Sequence, residues 1–333
     1  MKAIYFEKLG GVEVLKYGDF PTPEPKKNEV LIKVKACGLN HLDIWIRQGQ
    51  RELSMPHILG SDVAGVVEKV NGDSKLKAGQ EVVVNPAMPC GQCYRCRQSE
   101  SCELVKIFGK DSKGGYAEYT IAPVEQVYVK PASLSFTEAA AFPLTFLTAW
   151  HMLVSRAMLK KTETVFIWGA SGGLGSSAIL IAKYLGAKVI AAAKSDAVAE
   201  KIRKLGADEV IIYTKNKVED LVKDIDVVFE SVGEKTWSTS LKIARPYGRV
   251  VIAGTTSGNM VSHDLSDIYV RQLSVIGARM GTKEEFEKVL KLFETGKLKP
   301  IIDRVFPLQD ARKAQQRMEA GEHMGKIILE VGV

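Results

Sequence analysis

Two textures of hydrophobic and polar positions divide the chain. Up to about residue 125, short apolar runs are broken by Pro and Gly: Val30-Leu31-Ile32-Lys33-Val34, Ala64-Gly65-Val66-Val67-Glu68-Lys69-Val70 and Glu81-Val82-Val83-Val84. That spacing and punctuation predict a compact β-rich unit with long loops. From about residue 160 strand and helix patterns alternate. Thr164-Val165-Phe166-Ile167-Trp168 reads as a buried strand and residues 175–185 as the helix after it, with Gly186 beyond its end. Residues 188–193 are the next strand and 196–205 the next helix. Strands at 210–213, 226–229 and 249–253 follow, with helical segments between them. This alternation predicts a parallel sheet with helices on both faces. Residues 138–159, rich in small and apolar side chains, predict a connecting helix that Pro143 interrupts. After residue 280 come an amphipathic helix (284–294), an apolar stretch to Pro307, a helix from Asp310 and a last strand at 326–330, pieces that can return to the first unit.

The chemistry begins at the turn Gly169-Ala170-Ser171-Gly172-Gly173-Leu174-Gly175, between a buried strand and a helix. Glycines there permit a tight turn and let the backbone approach a pyrophosphate, while the helix start offers amide donors and partial positive charge. The glycine pattern is one residue longer than the strict G-x-G-x-x-G. At the end of the second strand, where an acid would bind the 2′-hydroxyl of NADH, the chain reads Ala193-Lys194-Ser195-Asp196. A cation and a hydroxyl favour a 2′-phosphate through charge-assisted hydrogen bonds, so NADPH is expected ahead of NADH. Asp196 reads as the cap of the next helix.

Composition sets limits. The chain has 333 residues, enough for two domains with two cores. Its 46% hydrophobic and 26% charged residues are ordinary for a globular chain, as is a mean hydropathy of −0.02. No apolar run reaches the roughly 18–20 residues of a membrane span. Charge enters early, at Glu7-Lys8, so no signal peptide is expected and the cytoplasm is the default location. The net charge of +7 comes from lysines interspersed with acids, without basic runs or interleaved aromatics, so no nucleic-acid partner is expected.

Four of the five cysteines lie together as Cys90-x2-Cys93-x2-Cys96-x5-Cys102. Close thiols in a cytosolic chain read as a tetrahedral zinc site, and four protein ligands make such a site closed and structural. His57, His151, His263 and His323 show no metal spacing. Asp43 and Asp62 read as buried acids needing partners, and Arg47 is a candidate for either.

A β-rich front, a four-cysteine lobe, the G-x-x-G-G-x-G turn and a returning C-terminus together resemble the medium-chain dehydrogenase/reductase superfamily over essentially the whole chain. The resemblance implies an α/β fold: a GroES-like β-rich catalytic domain (1–123 and 272–333) and a Rossmann doubly wound parallel-sheet cofactor domain (124–271). The usual lobe has seven residues before its fourth cysteine, and this one has five. In the zinc alcohol dehydrogenase branch, the three catalytic-zinc ligands match Asn40, Ser61 and Leu144, none of which is the family's ligand. The hydroxyl that accepts the alcohol proton matches Leu42, and the histidine ending its relay matches Trp45. Asn40-His41-Leu42-Asp43 and Gly60-Ser61-Asp62 instead resemble the zinc-independent quinone oxidoreductase branch.

The implied reaction is hydride transfer from NADPH to a quinone or an α,β-unsaturated carbonyl, small molecules that need no Lewis acid. Alcohol or aldehyde dehydrogenase, enoyl-thioester reductase and a non-catalytic cofactor-binding protein are the alternatives. The resemblance puts Asn40, Trp45 and Thr148 around the reacting groups. His41, Gly169, Ala170, Ser171, Gly172, Gly173, Leu174, Gly175, Lys194, Ser195, Val232, Gly254, Thr255 and Lys326 are expected against the cofactor, His41 and Lys326 near its phosphates. One structural zinc per chain is expected on Cys90, Cys93, Cys96 and Cys102. A homodimer or homotetramer is implied, joined at an edge strand near Leu273-Ser274-Val275-Ile276-Gly277.

Overall fold

The computed structural model describes residues 1–49, 53–98 and 100–332. Two compact units divide the chain, residues 1–144 with 282–333, and residues 145–281. Both junctions lie later than the 123/124 and 271/272 expected. The strand Val127–Val129 pairs with Glu81–Val84, and the helix Phe136–Ala139 packs on the strands Glu29–Gly38 and Asp62–Asn71, which hold the chain in the first unit. Ser274–Gly277 pairs with Ala244–Ile252 and keeps residues 272–281 in the second.

In the first unit a seven-stranded sheet runs in the order Ile302–Pro307, Lys326–Glu330, Glu29–Gly38, Asp62–Asn71, Glu81–Val84 and Val127–Val129, with Tyr119–Pro123 also paired to Glu29–Gly38. The last strand therefore does return: Lys326–Glu330 pairs antiparallel with residues 36–38. Inward side chains Val30, Ile32, Val34, Val63 and Val67 join Phe6, Phe108 and Tyr116 in one buried core. Alternation along a strand requires one such face.

The second unit is a six-stranded parallel sheet, ordered Glu209–Ile212, Lys188–Ala193, Thr164–Ile167, Ile225–Glu230, Ala244–Ile252 and Ser274–Gly277. The strand order reverses between Thr164–Ile167 and Ile225–Glu230, and a crevice for ligands opens beyond the C-terminal ends at such a point. The helix after the glycine turn runs Gly173–Tyr184, two residues earlier than the apolar period suggests, because Gly172 is its cap. Pro143 does interrupt the connecting helix: Phe136–Ala139 stops, Pro143–Trp150 begins on the proline, and His151–Arg156 widens to a π-helix. Among the described residues no helix is long and apolar enough to cross a membrane.

Candidate functional site

The glycine turn lies beyond the end of Thr164–Ile167, at the point of strand-order reversal. Gly169 has φ +61°, and the amide of Gly172 donates to its carbonyl at 3.0 Å. A Cβ at Gly175 would lie 2.2 Å from the Gly169 carbonyl oxygen and 2.7 Å from the Ala170 Cα, so helix and turn touch through backbone. Gly172, the cap, has no side chain to bond the first-turn amides, which leaves those of Gly173, Leu174 and Gly175 aimed out of the helix end. This is an anion cradle of backbone donors.

Neighbouring strand ends frame the cradle. Val232 follows Ile225–Glu230, and Gly254 (φ +104°) with Thr255 follows Ala244–Ile252. Lys194 is exposed just past Lys188–Ala193. The cap of the following helix is Ser195, whose hydroxyl accepts the Val198 amide at 3.4 Å. Asp196, expected in that role, is the first helical residue and pairs with Lys215 at 2.6 Å. Parallel pairing of Ala193 with Ile212 continues with the Thr214 hydroxyl donating to the Lys194 carbonyl at 2.9 Å, and leaves Tyr213 and Lys215 on either side of Thr214. Tyr213 is exposed, with its ring edge-on to Trp168 at 6.2 Å between centroids. Neither residue was singled out from sequence, where only the strand register connects them to Lys194. Thr148 is buried in the same unit, its hydroxyl 4.0 Å from the Met280 sulfur.

A second group of expected residues comes together in the first unit. Asn40 precedes the helix His41–Arg47, and its amide nitrogen donates to Asp62 at 2.9 Å. Lys326, expected near a cofactor phosphate, is buried. Its side chain is 4% exposed, and its three ammonium hydrogens match three acceptors: the Leu39 carbonyl at 2.6 Å, Asn40 Oδ1 at 2.7 Å and Asp62 Oδ2 at 2.8 Å. Asp62 also accepts the Leu144 amide at 2.8 Å. Asn40 and Leu144, dispersed in sequence, are therefore held at one buried Asp62–Lys326 pair, while the buried hydroxyl of Ser61, next to Asp62 in the chain, has no hydrogen-bond partner among the described residues.

Arg47 partners neither acid. It is fully buried and bonds Glu319 at 2.5 Å, Gln315 at 2.8 Å and the Gly10 carbonyl at 2.8 Å. The Asp43 partners are the Asn40 amide (2.8 Å) and the Tyr116 hydroxyl (3.0 Å), both on Oδ2. Oδ1 is buried without a hydrogen-bond partner among the described residues. Half-buried Trp45 and His41 have ring centroids 6.2 Å apart, and His323 lies 6.2 Å from His41.

Burial pushes the Asp43 carboxyl up to about 6, against the smaller opposing pull of its two hydrogen bonds. A carboxyl raised in the folded state binds protons more tightly there than when unfolded. Its stabilisation is complete below about pH 4 and is lost as pH rises through 6, about 3 kcal/mol in all. Burial lowers His323 to about 4, which gives a slope of the opposite sign over much of the same range. Asp43→Asn isolates the first effect. The wild-type minus variant stability difference, from denaturant titrations at pH 4, 5, 6 and 7, is expected to fall steadily with pH. A flat difference would place the titration elsewhere.

The third group is the cysteine lobe. All four sulfurs lie within 4.8 Å of one another. Four individual separations are 3.5, 3.6, 3.9 and 4.0 Å, against about 3.8 Å for a tetrahedron with 2.3 Å zinc–sulfur bonds. Backbone amides of Cys90, Cys93 and Cys96 donate to sulfur at 3.3–3.5 Å, a donor set suited to thiolates. The Cys96 and Glu103 amides bring the Cys93 thiol down to about 6. The five-residue spacing closes the cluster fully, and the donor chemistry fits zinc.

Residues 26–132 match the alcohol dehydrogenase GroES-like domain family, and residues 173–295 match the zinc-binding dehydrogenase family. Human quinone oxidoreductase is 32% identical, over 99% of this chain and 97% of the relative. An NAD-dependent alcohol dehydrogenase of Saccharolobus solfataricus is 31% identical over 99% of each. The crystal structure of an NAD-dependent alcohol dehydrogenase, 39% identical, superposes with a TM-score of 0.96 over the full length of both chains. With its zinc-binding cysteine cluster, the chain belongs to the medium-chain dehydrogenase/reductase superfamily and is an oxidoreductase.

Proposed function

We propose that the chain is an NADPH-dependent reductase of quinones or α,β-unsaturated carbonyls that works without a catalytic zinc. The observation that carries this reading is the Asp62–Lys326 pair. Asn40 and Leu144, two of the positions that match zinc ligands, both bond to Asp62, and an ammonium lies where they meet. Asn40, Ser61 and Leu144 present an amide, a hydroxyl and an alkyl group rather than the thiolates and imidazole of a zinc site.

A bound nicotinamide supplies hydride; the chain orients it and keeps water away. Thr148 would contact the nicotinamide side, and His41 the pyrophosphate side. Asn40 uses one amide hydrogen on Asp62 and retains another to donate to the acceptor oxygen. Trp45 would wall the acceptor with apolar surface. A quinone or enone accepts hydride at carbon as charge moves to oxygen, and a solvent proton completes the reduction.

Lys194 and Ser195 support NADPH, and pairing with Lys215 removes Asp196 as a competing anion. Lys194→Asp is expected to lower the NADPH-to-NADH ratio of kcat/KM tenfold or more. An unchanged ratio would remove Lys194 from cofactor choice. Self-association through Ser274–Gly277 fits its place at the sheet edge, next to exposed Val275, Tyr269, Val270 and Leu265. Native mass tests this, with one chain per particle the contrary result.

The names of the alcohol dehydrogenase relatives favour a second reading, NADH-linked alcohol oxidation. Steady-state assays separate the two. A benzoquinone and an unsaturated ketone should be reduced with NADPH far faster than primary or secondary alcohols are oxidised. Comparable alcohol turnover abolished by a chelator would select the second.

A further inference from the structure

Glu230, the last residue of the strand Ile225–Glu230, is a carboxylate with no exposed surface and no cationic partner among the described residues. Every contact it makes is with a donor. Oε1 accepts the Val232 amide at 2.7 Å and the Gly233 amide at 3.0 Å, and the Thr236 hydroxyl lies 2.9 Å from both oxygens. Oε2 accepts the Ser240 hydroxyl at 2.5 Å, and Ser240 in turn accepts the Trp168 indole N–H at 2.9 Å. Leaving a buried carboxylate short of donors is costly, so so full a set fixes the backbone around it.

The backbone fixed in this way reaches the glycine cradle on one side and the next strand end on the other. A Cβ at Gly169 would lie 2.9 Å from the Ser231 hydroxyl and 3.6 Å from a Val232 methyl, so residues 231–232 lie against the turn. The Val232 carbonyl accepts the Ser257 amide and hydroxyl, each at 2.8 Å. Gly233 has φ +94°, and a Cβ there would lie 2.4 Å from the Gly258 carbonyl oxygen. Trp168, at the far end of the hydrogen-bond chain, immediately precedes Gly169.

We infer that Glu230 is a positioning residue for the dinucleotide: its carboxylate sets the loop Ser231–Gly233 against the glycine turn and, through Ser240 and the Trp168 indole, locks the two segments in register. The inference rests on the dinucleotide reading of the turn. It requires an acceptor for the Val232 and Gly233 amides and assigns Glu230 no contact with cofactor or acceptor.

Two variants separate that role from simple loss of a buried group. Glu230→Leu removes both acceptors and leaves the two amides unpaired. Glu230→Gln keeps one oxygen for them and offers its NH2 to the Ser240 and Thr236 hydroxyls, which are able to accept. Titration with NADPH should give a Kd raised tenfold or more in Glu230→Leu and less than about threefold in Glu230→Gln. In both, kcat at saturating NADPH and KM for the acceptor should stay within about threefold of wild type. Should Glu230→Leu fail to fold, Ser240→Ala tests the same chain. It should weaken NADPH about threefold and alter the emission that a Trp168→Phe control assigns to Trp168. Wild-type affinity in folded Glu230→Leu or Ser240→Ala would overturn the inference, as would equal losses in the Leu and Gln variants. If the wild-type chain binds neither NADPH nor NADH, the dinucleotide reading fails first and this inference with it.

Discussion

Replacing Lys326 by Met is expected to destabilise the first unit by about 3–5 kcal/mol, the usual result of removing one partner from a buried ion pair. Asp62, with no exposed surface, would keep the Asn40 and Leu144 donors but lose its cation. Asp62→Asn in the same background should recover much of the loss, because a neutral amide there no longer needs the ammonium. Denaturant unfolding followed in the first unit measures both variants. A cost below about 1 kcal/mol for Lys326→Met, or no recovery in the double variant, would mean that the pair is not the organising feature of this site. Asn40 has its carbonyl oxygen on Lys326, so Lys326→Met should also free the amide to reorient and lower acceptor turnover.

Gly175→Ala is expected to abolish dinucleotide binding with little change in the first unit. A methyl group there would lie 2.2 Å from the Gly169 carbonyl oxygen and 2.7 Å from the Ala170 Cα, inside any van der Waals contact, and both of those atoms belong to backbone. Relief requires the helix Gly173–Tyr184 to move off the turn, which would redirect the first-turn amides proposed to cradle the pyrophosphate. Thermal melts with and without NADPH provide the readout. Wild-type protein should gain stability as ligand rises above its Kd, and the variant should gain none. A variant that retained the wild-type shift would show that the turn tolerates a side chain and is not the phosphate cradle. Gly172→Ala is the control, since its Cβ would meet only the Gly169 oxygen at 3.5 Å, an ordinary contact.

The architecture was legible because period and punctuation agreed in the second unit. Its buried strands are short apolar runs, and the helices Gly173–Tyr184 and Asp196–Lys204 begin on Gly172 and Ser195. The four cysteines were equally clear, since four thiols within 13 residues read as one metal site. What the sequence hid was pairing over long separations. Nothing near Lys326 in sequence indicates that its ammonium faces Asp62, 264 residues away. Arg47 is near Asp43 in sequence, yet its helix turns it toward Gln315 and Glu319. Asp196 sits where a helix cap is expected, but the cap falls one residue earlier, on Ser195. The unit junction moved for a similar reason. A three-residue strand, Val127–Val129, carries little sequence signal but holds the chain to the first sheet.

A single metal, held by the cysteine lobe, is expected to accompany hydride transfer from a dinucleotide bound at Gly169–Gly175. Zinc per chain, measured by elemental analysis on purified protein that binds NADPH and reduces a quinone or enone, tests it most directly. The account predicts one zinc per chain, lost in Cys93→Ser. Two zincs per chain, with one retained in Cys93→Ser, would contradict it and return the chemistry to metal-assisted alcohol oxidation.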